Sequence, residues 1–511
     1  MKDINLKSLE KIGDVFSNIY KEENEIKIFK NFIDGKWVES KTGKYMDIIS
    51  PINDELVARV QRSNQEDVEN AVDSAFNARR KIREIAAIER IRILNKARHL
   101  MENYREDFIN VLMIEAGKTR ELAEGEFNTS LARIKLTMED ASKIYGEYIP
   151  GDWAEDKVSK VAIVLREPLG VIACISSFNY PLFSMVSKVV PALLAGNTVV
   201  AKPASDDPTV SLLFAKILQE AGIPDGTVNM VTGLGSEVGD YLAKSNKVQM
   251  ITLTGSTSTG KHVAEICNMK KLHLELGGKG AAIVAQDANI SLAAKKILDG
   301  SLRYSGQRCD SINRVLVIDD LHDALLDEIL KIFDSYKLGN PFEDGVKLTP
   351  LINKKAAEKV HDLVNDALKK GAKLLKGGKH NGCYFEPTLL DDVPLDSRIA
   401  WEETFGPVVV IIRVKSIEDA IEIVNMSNYG LDSCVFTNNL YTAWRVAKAL
   451  EEGSVTINDF PSHGTGYFPF GGNKDSGLGR EGIGYSLDEM TRIKTIQIDL
   501  SPLGPSKKIS K

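Results

Sequence analysis

The sequence predicts an α/β protein of two domains, each built round a largely parallel sheet. Three observations predict it. Short apolar strands alternate with helices from Gly170 onward, the alternation starts afresh near Ala281, and a chain of 511 residues is too long for one ordinary core. Alternation of this kind makes parallel sheets covered on both faces, and two adjacent series leave a cleft between them.

The elements follow in order. In QEDVENAVDSAFNARRKI, the residues Val68, Ala71, Val72, Ala75 and Phe76 recur at i, i+3, i+4, i+7 and i+8, an amphipathic helix. Further helical patterns run to about residue 145, so the N-terminal part reads as helical. The stretch YIPGDWAEDKVSKVAIVLREPLG combines a turn-forming PGD with a β-branched run and predicts a hairpin. From Gly170, GVIACIS, NTVVAKP, TVNMVTG and VQMITLTG predict strands. FSMVSKVVPALLAG and TVSLLFAKILQEAGIP predict helices, the second stopping at Gly222 with Pro224 beyond. AAIVAQD, RVLVID, VVVIIRV and SCVFTNN supply the second set of strands. The tail TRIKTIQIDL alternates Ile496, Ile498 and Leu500 with Gln497 and Asp499. That is a half-buried strand, either an edge of its own chain or one completing another subunit's sheet.

Composition narrows the function. A hydrophobic fraction of 43% with 27% charged residues is that of a soluble globular protein, and a net charge of −6 offers nucleic acid no basic field. The five cysteines are scattered without a CxxC pair, and the seven histidines show no HExxH, so neither a disulfide framework nor a metal site is expected. The N-terminus lacks the apolar core of a signal peptide and no apolar run spans a bilayer, which makes the cytoplasm the expected compartment.

Several stretches could carry chemistry, each with a bland alternative. In YSGQRCDSINR, Cys309 sits among polar residues with Arg308 directly before it, and an adjacent cation favours the reactive thiolate; inert packing is the commoner fate of a free cysteine. LTGSTSTGKHV follows a strand and opens a helix, so Thr254, Gly255, Ser256 and Gly260 frame either an anion site or a plain structural turn. Lys202 ends a strand, where α/β proteins bind ligands, or is a surface lysine. Glu275 in HLELGGKG lies on a largely apolar strand, which suits a general base or a satisfied buried carboxylate. Asn179 could donate to an oxyanion, and Glu403 could accept from ribose hydroxyls.

Taken together and in order, FNYP, LAGNTVVAKPA, TGSTSTG, LELGGK, GQRC, EETFGPV and PFGGNKDSGLGREG resemble the aldehyde dehydrogenase superfamily over nearly the whole chain. YIPGDW, REPLGV, FNYPLF, GQRCD and GYFPFGG are similar to its archaeal non-phosphorylating glyceraldehyde-3-phosphate dehydrogenase subgroup. The resemblance implies the aldehyde dehydrogenase fold: a Rossmann-like cofactor domain (1–148 and 168–276), an α/β catalytic domain (277–482) and a β oligomerisation arm (149–167 and 483–502). A homo-oligomer, dimer or tetramer, follows from it.

The resemblance also implies roles. Cys309 attacks the aldehyde, Asn179 and the Cys309 N–H hold the oxyanion, hydride passes to the nicotinamide, and Glu275 activates the water that frees the acid. Lys202 and Glu403 contact the cofactor riboses, Ser256 the pyrophosphate and Phe405 the nicotinamide, and Thr254, Gly255, Gly260 and Gly277 belong to the same cofactor site. Ser205 stands where NAD-specific relatives carry a glutamate, so NADP is expected, with NAD also accepted. On the substrate side, Arg308, Tyr180, His463 and Phe470 are implied, His463 as the basic residue of the substrate loop. Ser462 and Asn128 stand where arginines are expected, with Arg133 one helical turn on to compensate. Gly484 replaces a second glutamate that relays protons in many relatives.

The expected reaction is oxidation of glyceraldehyde 3-phosphate to 3-phosphoglycerate without inorganic phosphate, a glycolytic step. A small unphosphorylated aldehyde, such as glyceraldehyde or succinate semialdehyde, is the alternative. A thiol hydrolase pairing Cys309 with His273 or His463 leaves Lys202, Ser256 and Glu403 without purpose. A CoA-acylating relative would generally lack the glutamate present at Glu275, and a catalytically silent protein would not need both Cys309 and Glu275.

Overall fold

Val171–Ile175 is buried at every position, as expected of a strand covered on both faces, and it lies in the middle of an eight-stranded sheet. Lys271–Glu275, Val248–Thr254, Val171–Ile175, Thr198–Lys202 and Val228–Met230 run parallel in that order. The computed structural model describes residue 9 and residues 12–501. Most of the first eleven residues, read above for a leader, and residue 502, the end of the expected arm, lie outside the described residues. No helix of the described residues is long and apolar enough to cross a membrane.

The helices Pro181–Leu194 and Thr209–Ala221 cover this sheet and are almost wholly buried. Gly222 ends the second with a positive φ of 95°, a left-handed C-cap that glycine adopts without a Cβ clash. A second, seven-stranded sheet takes Thr388–Asp391, Val408–Val414, Arg314–Ile318, Ala281–Val284, Asp432–Phe436 and Ser454–Ile457 in parallel, with Lys373–Lys376 antiparallel at one edge. Both parallel series read from the sequence are therefore present.

Two differences have physical causes. The N-terminal part does not start as helix: six short strands precede the helix Gln65–Glu84. Two hairpins turn at Asn24–Glu25 and Asp34–Gly35, where both residues of each pair have positive φ. The Asp-Gly pair is a hairpin signal in its own right, and the flanking three- and four-residue strands are too short for periodicity to register. The first sheet also borrows an edge strand, Gly477–Leu478, which pairs antiparallel at Leu274 and Glu275.

The tail strand Thr491–Asp499 pairs along its length with Lys160–Pro168 of its own chain, and Glu147–Pro150 completes the ribbon. The tail strand is not half-buried in this chain: only Thr491 is buried, Ile493 on one face and Ile496 and Ile498 on the other are all exposed, and so are Tyr148 and Trp153.

Glu115, near the end of the helix Arg105–Ala116, is fully buried. Its Oε2 accepts from the Thr209 N–H at 3.1 Å, while Oε1 has no partner. Burial pushes its carboxyl up to about 8. The folded chain therefore holds a proton there that the unfolded chain releases above about pH 4.3, so stability falls as pH rises from there through the folded value. Glu115→Gln keeps the acceptor for Thr209 and removes the titration. Thermal melts of this variant between about pH 5 and pH 8 should decline less steeply than those of the parent. An identical slope would exclude Glu115 as its source.

Candidate active site

The carboxyl ends of four neighbouring parallel strands deliver one group each. Thr254 and Glu275 are register partners at the ends of their strands, Lys202 ends the next but one, and Asn179 follows the strand ending at Ile175. Ligands of open α/β sheets bind at this edge. The second sheet presents its amino edge to the same place. Gly277 and Gly278 precede Ala281, Cys309 precedes Arg314, and Glu403 and Phe405 precede Val408. The two edges touch where Asn179 Nδ2 donates to the Gln307 carbonyl at 3.1 Å, and within the second edge Gly278 N–H donates to Glu403 Oε1 at 3.1 Å.

A left-handed turn sets up the thiol. Tyr304, Ser305 and Gly306 have φ of 51°, 53° and 71°, costing about 1–3 kcal/mol for each residue other than glycine. Anchors from two other segments hold it. Tyr304 OH donates to the Ala116 carbonyl at 2.9 Å, Ser305 Oγ to the Thr349 carbonyl at 2.6 Å, and Gln307 Oε1 accepts from the Ile352 N–H at 2.8 Å. A Cβ at Gly306 would lie 2.1 Å from the Gly406 carbonyl oxygen, so only glycine lets these segments close. Of the five cysteines, Cys309 alone is not fully buried.

Arg308 acts on the thiol in the direction the sequence suggests, but it is outweighed. Its Nη2 pairs with Asp310 Oδ1 at 2.9 Å and donates to the Pro461 carbonyl at 2.8 Å. Burial pushes the Cys309 thiol well up, the carboxylates of Asp310, Glu403 and Glu275 push it further, and Arg308 opposes them only weakly. The resting group is a thiol, chiefly because burial disfavours the charged form, and the cation that opposes this is paired with Asp310. Arg308 Nη1 is left without an acceptor.

Glu275 is buried, and burial raises its carboxyl while a hydrogen bond from His273 works against the rise. Oε1 lies 3.1 Å from His273 Nε2, and Oε2 has no partner. Asn179, also buried, accepts from Ser177 Oγ at 2.7 Å and uses one of its two amide hydrogens on Gln307. The site thus assembles a reachable thiol, an amide with a hydrogen to spare and a carboxylate with one free oxygen. That set can form, stabilise and hydrolyse an acyl-thiol adduct.

The substrate-side residues are partly corrected. His463 stacks on Phe470 with ring centroids 4.2 Å apart, and burial pushes its imidazole down to about 4. It is neutral at pH 7 and supplies no cation. Arg133 is fully buried, with Nη1 on the Thr465 and Gly466 carbonyls and Nη2 on Ser486 Oγ at 2.9 Å, so it braces the loop rather than compensating for a missing arginine. Asn128 is exposed and bound to Arg105, Ser462 is exposed, and Gly484 N–H donates to Asp140. Tyr180 is half-buried, and the Lys118 ammonium lies 4.3 Å from its ring centroid. Glu126 caps the next two amides, Leu182 and Phe183, which fixes the chain just after Asn179.

The remaining residues fit a dinucleotide. Ser256 caps the helix Thr257–Ile266, its oxygen accepting from Thr259 N–H. Lys202 is buried, with Nζ donating to the Pro203 carbonyl at 3.0 Å and lying 3.4 Å from Ser205 Oγ, which leaves an ammonium hydrogen available. A Cβ at Gly277 would meet the Glu403 carboxylate at 2.8 Å, and one at Gly260 would meet Leu276 at 2.4 Å. Phe405 holds a positive φ of 54° and packs edge-on to Phe178. Asp206 accepts from Asn353, and Asp207 is buried, so neither carboxylate replaces the one missing at Ser205.

Sequence reasoning missed the pairing of His273 with Glu275, the ion pair of Lys188 with Glu481 at 3.2 Å, and the left-handed turn. A signal existed for the first, since residues two apart on one strand share a face.

The sequence profile of the Aldehyde dehydrogenase family matches residues 37–496. NADP-dependent glyceraldehyde-3-phosphate dehydrogenase of Streptococcus equinus is 41% identical over 478 residues, 93% of this chain and 99% of that one. The enzyme of the same name from Bacillus halodurans C-125, solved with NADP, superposes with a TM-score of 0.90 at 40% identity, covering 92% of this chain and 99% of that one. A glyceraldehyde-3-phosphate dehydrogenase from Methanocaldococcus jannaschii DSM 2661, also complexed with NADP, gives 0.85 at 35% identity, covering 89% of this chain and 100% of that one.

Proposed function

The chain belongs to the aldehyde dehydrogenase family, and on that premise we propose that it oxidises glyceraldehyde 3-phosphate to 3-phosphoglycerate with NADP and without inorganic phosphate. The observation that carries the reaction class is one reachable thiol, Cys309, set among groups that include Glu275 with its unpartnered Oε2. Relatives 37–41% identical over most of their length, named for this substrate, support the choice of aldehyde.

In the proposed reaction Cys309 Sγ gives up its proton to solvent and bonds to the aldehyde carbon as the C=O π bond opens, and Asn179 donates to the oxygen that gains charge. NADP, when bound, supplies the two-electron acceptor that turns this adduct into a thioester. Glu275 Oε2 takes a proton from water, whose oxygen bonds to the acyl carbon as the C–S bond breaks. Lys202, Ser205 and Glu403 hold the riboses, the 2′-phosphate meeting a lysine and a hydroxyl instead of a glutamate. That choice favours NADP over NAD without excluding NAD.

The exposed apolar side chains of the ribbon support a homo-oligomer, a dimer or tetramer. The reaction is assigned to glycolysis in the cytoplasm.

The test is absorbance of reduced nicotinamide with glyceraldehyde 3-phosphate, NADP and NAD in parallel, without phosphate or CoA. NADP reduction is expected. Arg308 Nη1, one residue before the thiol, is a buried donor without a protein partner, and we assign it to the substrate's phosphate. Arg308→Ala should therefore lower kcat/KM for the phosphorylated aldehyde about 10–100-fold more than for glyceraldehyde. The ratio cancels any general damage from leaving Asp310 unpaired. Equal losses would shift the assignment to a small unphosphorylated aldehyde.

A further inference from the structure

Glu275 shares its strand face with a histidine that the reaction scheme has not used. His273 precedes it by two residues on Lys271–Glu275 and is buried, with Nε2 3.1 Å from Glu275 Oε1. Its other nitrogen, Nδ1, lies 2.9 Å from the hydroxyl of Thr252, its register partner on the neighbouring strand. An ionised carboxylate only accepts, so Nε2 carries the hydrogen toward Glu275, while the contact with the Thr252 hydroxyl holds the other side of the ring.

The cover over this pair is fitted to it. A Cβ at Gly479 would lie 2.9 Å from His273 Cδ2, and one at Gly471 would lie 2.9 Å from Glu275 Oε1. Two bare glycines therefore let the segment that carries the edge strand Gly477–Leu478 close over both side chains. The charged groups that also act on Glu275 are Glu481, which raises its carboxyl, and Lys188, which lowers it and is paired with Glu481 at 3.2 Å.

We propose that His273 is the positioning residue of the water-activating carboxylate: by occupying Oε1 it fixes the rotamer of Glu275 and leaves Oε2 as its single free base. This rests on the assignment of Glu275 as the deacylating base. The clamp survives the proton transfer. When Oε2 takes the water proton, Oε1 is still an acceptor for Nε2–H, so the carboxyl need not turn between cycles. Removing the donor from the charged form makes the carboxylate a group that ionises at higher pH.

The experiment loads Cys309 with an acetyl group from p-nitrophenyl acetate, without dinucleotide. Sulfur bonds to the acyl carbon, p-nitrophenolate leaves, and water later releases acetate and restores the thiol. In His273→Leu the nitrophenolate burst should stay near one per site. Acetate release near neutral pH should slow about tenfold, and its rising limb should move up by about one pH unit. His273→Gln, whose amide can donate to Oε1, should recover most of both. An unmoved limb in His273→Leu, or a burst and release that fall together, would overturn the proposal. Glu275→Gln run alongside separates the two claims: acetate release that ignores this change removes the deacylating base itself. A wild-type chain that hydrolyses the ester along the predicted limb but oxidises no aldehyde removes only the proposed function.

Discussion

Cys309→Ser should abolish aldehyde oxidation, with a loss of at least about 10,000-fold in kcat/KM. The size follows from what the thiol does twice. It must attack a carbonyl, and a serine hydroxyl in the same place ionises at far higher pH and attacks far more slowly. It must then leave from an acyl carbon, where an alkoxide is a much poorer leaving group than a thiolate. The surroundings make the substitution worse, because Asp310, Glu403 and Glu275 already oppose negative charge at this position. No other cysteine can stand in, since Cys174, Cys267, Cys383 and Cys434 are all buried. Alkylation by iodoacetamide gives an independent check: one equivalent in the parent chain, taken up faster as pH rises, and none in the variant. NADP binding, followed by protein fluorescence, should persist, because Lys202, Ser205 and Glu403, the residues proposed to hold it, are untouched. Oxidation above about 1% of the parent rate would place the nucleophile elsewhere.

The sequence exposed most of this site because its residues sit at strand ends. Lys202, Thr254 and Glu275 each close a run of apolar residues, and position at the carboxyl edge of a parallel sheet is itself a functional signal. The parallel strands were legible for a related reason: strands buried on both faces need near-continuous apolar runs. What stayed hidden depends on partners distant in the chain. Arg308 is a mixed case: Asp310, which pairs with it, was visible two residues on, whereas the Pro461 carbonyl that also holds it lies 153 residues away. His463 looked basic from its sequence alone. Its neutrality comes from burial against Phe470 and Phe183, which no local pattern encodes. Arg133 shows the general case: a fully buried guanidinium, placed one helical turn from a suspected substrate position, turns out to be consumed by backbone carbonyls more than 330 residues on. The left-handed turn at Tyr304 and Ser305 has no sequence signature, because neither residue type favours positive φ.

Glu275→Gln should divide the reaction in two. The amide keeps the size and an acceptor oxygen for His273 Nε2, so the strand ending at residue 275 and its cover should remain intact. What is lost is the base. Hydride removal does not need water to be activated, so mixing the variant with aldehyde and NADP should yield a burst of reduced nicotinamide of about one per site. Turnover should then slow about 100–1,000-fold, because deprotonation of water by a positioned base contributes about that much. Intact-mass measurement after the burst should find the acyl group on Cys309. Raising pH should restore little, since hydroxide must then do the work unaided, whereas His273→Leu, which keeps the carboxylate, should recover as pH rises. The contrast between the two variants is the decisive feature: one removes the base, the other only its clamp. Parent-like turnover in Glu275→Gln would assign water activation to another group. Loss of the burst together with turnover would mean that Glu275 also takes the Cys309 proton, a role open to it because Oε2 has no other partner and the resting thiol is protonated.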